Sequence, residues 1–141
     1  MRYHELVRLV QEQGGFESRD EAVTAIRATL SSLGECLYRT ERRHLASQLP
    51  KEAKDFLYEY VNSGVTRSGA ACLTLEEFYD RVGARAGVTR THAIDQATAV
   101  ARVLEENLPE GEWRHIIDEM PKEYHGLLGR EPSGPQPPSE V

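Results

Sequence analysis

Residues 41–52 read ERRHLASQLPKE, and residues 112–123 read EWRHIIDEMPKE. Glu41, Arg43, His44, Pro50, Lys51 and Glu52 return as Glu112, Arg114, His115, Pro121, Lys122 and Glu123, each at a constant separation of 71 residues. A constant separation identifies one unit written twice, and repeated units bury a shared face against each other. Working outward, Tyr3, Leu6, Val7 and Val10 follow the i, i+3, i+4, i+7 spacing of a helix with one apolar stripe. Leu75, Phe78, Tyr79 and Val82 repeat that stripe at a separation of 72. The extra residue belongs to the turns at Gly14-Gly15-Phe16 and Gly87-Val88, where a length change is tolerated.

The longer segment between these blocks is also helical in pattern. Ser18 with Glu21 three residues on reads as a capping box. Ala22, Ile26, Leu30, Leu33 and Leu37 then form a stripe that returns as Ala93, Ala97, Ala101, Leu104 and Leu108. The first stripe is expected to stop near Gly34-Glu35 or a few residues later, the second near Pro109. The duplicated block is a short helix starting at Thr40 in the first copy and closed by Pro50 or Pro121, since the residue before proline avoids the α region. Each proline can open a fourth helix, KEAKDFLYEYV or KEYHGLL. Leu45, Leu49, Ile116 and Met120 should face the core, with Phe56-Leu57 and Leu127-Leu128 as anchors.

The expected fold is therefore all-α: a bundle of about eight helices in a single domain over residues 1–128. Repeat one spans 3–61, a linker 62–72, and repeat two 73–128, in a pseudo-twofold arrangement. The tail, 129–141, is rich in Pro, Gly and Ser and is read as disordered.

Composition narrows the function classes. The 141 residues carry a formal net charge of −6, which disfavours nucleic acid and anionic membrane as partners. No run approaches the roughly 18 apolar residues that cross a bilayer, and the first ten residues have no signal-peptide core. A cytoplasmic location is expected, with Cys36 and Cys72 as ordinary reduced thiols.

The sharpest chemical motif is the Glu-x-x-His pair, Glu41 with His44 and Glu112 with His115, which sets carboxylate and imidazole on one face of a helical turn. Two such pairs are half the ligand set of a carboxylate di-metal bundle, and Glu5, Glu77, Glu35 and Glu106 could supply the rest. The carrier helix is short for such a site. The plainer reading makes Glu41 and Glu112 helix-start carboxylates and the histidines packing residues. Arg43 and Arg114 are read as ties to a neighbouring carboxylate or carbonyl, with Ser47 and Asp118 as nearby candidates. Arg39, Arg42, Arg43, His44, Lys51 and Lys54 gather positive charge around the first copy, on a charged face that an acidic partner could use. Trp113 is read as core. There is no glycine-rich phosphate loop, CxxC or HExxH motif, and no cofactor is expected.

The order of these pieces resembles the bacterial family known as domain of unknown function 2267: the opening helix through Glu5-Leu6-Val7 to Val10 and again Phe78 to Val82, then EAVTAIRATLSSLGECL, then RRHLASQLP. The resemblance implies an all-helical, internally duplicated bacterial protein and brings no activity or functional residue with it. The function expected is a non-enzymatic module that binds another protein or itself. The alternative is a metal or small-ligand protein using Glu41, His44, Glu112 and His115.

Overall fold

Helices α1 (Tyr3–Gly14), α2 (Arg19–Cys36), α3 (Arg39–Ala46) and α4 (Lys51–Leu57) precede α5 (Leu75–Ala86), α6 (Arg90–Asn107), α7 (Glu112–Asp118) and α8 (Lys122–Leu128). The computed structural model describes residues 1–61 and 74–128, apart from the side chains of 126–128. The linker expected at 62–72 with its Cys72, the tail at 129–141, and the anchors Leu127 and Leu128 lie outside the described residues. Among the described residues the regular structure is entirely helical.

The helix ends follow from local chemistry. Ser18 and Thr89 accept the N3 amides of α2 and α6, from Glu21 and His92. The Glu21 carboxylate accepts from Glu17 N–H rather than from Ser18, so the capping box expected there is only half made. Thr74 and Glu77 make the full reciprocal box at the start of α5. Gly15 and Gly87, with φ of 67° and 74°, take the left-handed conformation that ends α1 and α5. Pro50 is the N-cap of α4 rather than its first helical residue, and α3 begins at Arg39 with Tyr38 as its cap.

Helix α1 packs on α2 and α6, α5 packs on α6 and α2, and α2 packs on α6. Helix α4 covers α2, α8 covers α6, and the short α3 meets α7. Every residue of both long-helix stripes is buried, as are Leu45, Leu49, Ile116 and Met120. Each Leu, Ile or Met among them stabilises the fold by about 1.5–3 kcal/mol relative to exposure. Ala97 and Ala101 stand where α2 has the larger Ile26 and Leu30. Phe78, Tyr124 and Trp113 are all buried, the first two in edge contact at 5.5 Å between ring centres.

Helix α2 does not stop at Gly34. A Cβ there would sit 2.0 Å from the carbonyl oxygen of Leu57, so the glycine lets the end of α4 lie against α2.

Candidate functional site

Helices α3 and α7, which carry Glu41-x-x-His44 and Glu112-x-x-His115, meet at one junction. His44 Nε2 and a Glu112 carboxylate oxygen form a hydrogen-bonded pair, and the imidazoles of His44 and His115 stand 6.0 Å apart between ring centres at 45°. Three of the four Glu-x-x-His residues are thus brought together, while Glu41 lies half-buried near the start of α3. The side chains of His44 and Glu112 remain 40% and 29% exposed, so solvent screens their attraction. Among the described residues, no group of three or more His, Cys, Asp or Glu is arranged to hold a metal ion.

The four further carboxylates are engaged elsewhere. Glu5 and Glu77 accept from backbone amides at the starts of α1 and α5. Glu106 accepts from Gln13 at 3.0 Å. Glu35, only 9% exposed, takes Arg81 at 3.0 Å and Arg85 at 2.8 Å.

Of the positive cluster around the first copy, Arg42 is withdrawn from the surface. Its Nε donates to the Gly34 carbonyl at 2.8 Å and its Nη2 to the Leu37 carbonyl at 2.9 Å. These are carbonyls at the C-terminus of α2 that lack helical partners, and a cation there also matches the helix dipole. Burial pushes the Arg42 guanidinium below its ordinary value, partly offset by Tyr58. In the sequence, Arg42 stands 71 residues before Trp113, the same separation that relates His44 to His115. Trp113 is itself buried.

Arg43 and Arg114 lie exposed, and Ser47 donates its hydroxyl to the His44 carbonyl at 2.7 Å instead of meeting Arg43. Arg39, Lys51 and Lys54 are also exposed, with Lys51 spanning to Asp55 at 3.1 Å. Beside Arg39 is Tyr38, 48% exposed, which with Met1 makes up the exposed large hydrophobic side chains among the described residues.

A second polar assembly escaped sequence reasoning. Between α2, the turn after α4, and α5, Arg27 grips Glu59 through Nε and Nη2. Arg85 lies over the Tyr60 ring at 3.8 Å and donates to the hydroxyls of Ser31 and Ser32 at 3.3 Å. The Arg27 hydrogen bond holds the Glu59 carboxyl below the usual carboxylate range. Its members are scattered from Arg27 to Arg85 along the chain, and no local spacing joins them.

No helix among the described residues is long and apolar enough to cross a membrane. No curated protein matches the chain. The order of helices and blocks seen here has a counterpart among protein families: over residues 3–127 the chain belongs to the family described as Uncharacterized conserved protein (DUF2267).

Proposed function

We propose that this is a duplicated helical scaffold of the bacterial cytoplasm that acts by binding an acidic protein segment rather than by catalysis. The observation that carries the proposal is Tyr38, half-exposed at the cap of α3 and followed by Arg39 and Arg43 one helical turn apart on an exposed face. Tyrosine and arginine are the residue types most often found as interface anchors. In a chain of net charge −6, a local basic and aromatic surface selects a partner of opposite sign.

Duplication about a pseudo-twofold axis is part of the same proposal. Its support is that contacts recur at equivalent places: Arg85 of α5 reaches Glu35 of α2, and Gln13 of α1 reaches Glu106 of α6. Those residues are related by the same separations, 72 and 71, as the repeated sequence. On this reading the α3–α7 junction lies at the axis, where His44 and His115 face each other.

The test is affinity purification from the native cells after cross-linking, with the chain and its Tyr38→Ser/Arg39→Glu variant side by side. A defined acidic partner retained by the first and lost by the second is expected. A chain recovered alone, or a partner held equally by both, contradicts the proposal. Self-association through the same surface would appear in sedimentation as a dimer abolished by the same variant.

A second reading is metal binding by Glu41, His44, Glu112 and His115. It rests on the meeting of His44, Glu112 and His115 at one junction. Stoichiometric zinc, iron or manganese in protein purified without chelator, absent from a His44→Ala/His115→Ala variant, would establish it. Metal-free protein removes it.

A further inference from the structure

The polar assembly between α2, the turn after α4, and α5 surrounds a cavity of about 240 Å³. We propose that this cavity binds a small organic carboxylate. Arg27 and Arg85 line the cavity beside the Glu59 carboxylate, so the described lining carries one positive charge in excess within an acidic protein. Among the described residues the bonds already made leave the Nη1 group of Arg27 and the Nε–H of Arg85 uncommitted. Both guanidiniums line the cavity, and a planar guanidinium edge matches a carboxylate.

The walls decide which anion fits. Val23, Ala28 and the Tyr60 ring give the cavity an apolar side, and the two arginines with Ser31 give it a polar one. A dianion such as phosphate would meet the Glu59 carboxylate at close quarters with only one excess positive charge to offset it. A monoanion with a flat apolar body satisfies both walls. The volume falls below the ~300 Å³ at which pockets for drug-sized ligands begin, so the ligand is about the size of a single substituted ring.

The repeated sequence makes the cluster one-sided. On the alignment of the two units, Arg27 corresponds to Thr98 and Arg85 to Gln13, so neither guanidinium has a charged counterpart. The equivalent tie between α1 and α6 is made by Gln13 and Glu106. The additional arginines at the α5–α2 contact therefore exceed what joining those two helices requires.

The experiment is titration of the full chain with benzoate, followed by amide NMR, with benzamide and inorganic phosphate as comparison probes. Benzoate is expected to saturate at one site, shifting signals of α2 and α5, while benzamide and phosphate do not. Arg27 is 57% exposed, so Arg27→Gln leaves the fold in place and is expected to weaken benzoate about tenfold. Glu59→Gln removes a competing carboxylate and is expected to tighten it. Those opposite shifts separate a ligand site from a merely structural cluster. Absence of saturable benzoate binding, equal binding of benzamide or phosphate, or an unchanged affinity in Arg27→Gln would overturn the proposal.

Discussion

Arg42 shows how one side chain can be read in two ways. In the sequence it is one of several cations around a repeated block; in the structure its guanidinium finishes the C-terminus of α2 from inside the protein. Arg42→Ala leaves the Gly34 and Leu37 carbonyls without these donors and opens a void. We expect a loss of about 2–4 kcal/mol, measured by urea unfolding. Arg43→Ala, one position on and exposed, should stay within about 0.5 kcal/mol. Tyr79 supplies a residue-scale test of pH dependence. It is 7% exposed, and burial pushes its phenol up to about 12. Below about pH 10 the phenol is neutral in folded and unfolded chain alike, so stability is untouched. As pH rises from about 10 to about 12 only the unfolded chain ionises, and stability falls by roughly 2 kcal/mol. Tyr79→Phe should escape that part of the alkaline loss, which denaturation at paired pH values will read.

The contacts between helices differ in strength according to their burial. The His44–Glu112 hydrogen bond joins α3 to α7 at a half-exposed edge, where such a contact contributes about 0–1 kcal/mol. Glu35 joins α2 to α5 from a nearly buried position and balances two guanidiniums. Removing it strands those charges, so Glu35→Ala is expected to cost about 3 kcal/mol and His44→Ala less than about 1 kcal/mol. Thermal or urea unfolding of the two variants checks the ranking; equal losses would contradict it. The element pattern was open to sequence reasoning because apolar spacing, Ser18, Thr89 and the αL glycines act within a few residues. The end of α2 at Cys36 fell within the expected range, but the role of Gly34 was not legible. Whether Gly34 ends a helix or allows a close approach depends on where Leu57 comes to lie, and that is a contact between distant segments.

At the scale of the whole molecule, the buried stripes of α1 and α2 are covered in part by α6 and α5. Residues 1–61 made alone would expose those faces, and each uncovered Leu or Ile forfeits about 1.5–3 kcal/mol. We expect this half to show no cooperative unfolding as a monomer in calorimetry; a folded, monomeric half would refute the interdependence that the proposed duplication requires. The sequence by itself determined the helices, the faces they bury and the recurrence of Glu-x-x-His, because periodicity and caps are local physics. It also carried the family resemblance through the order of its blocks. Only the tertiary structure decided that Arg42 turns inward, that His44 meets Glu112, and that Arg27, Arg85, Glu59 and Tyr60 close around one cavity. Those outcomes depend on which helix lies across from which, and the energy that selects the arrangement comes from burying all the stripes together rather than from any stretch alone.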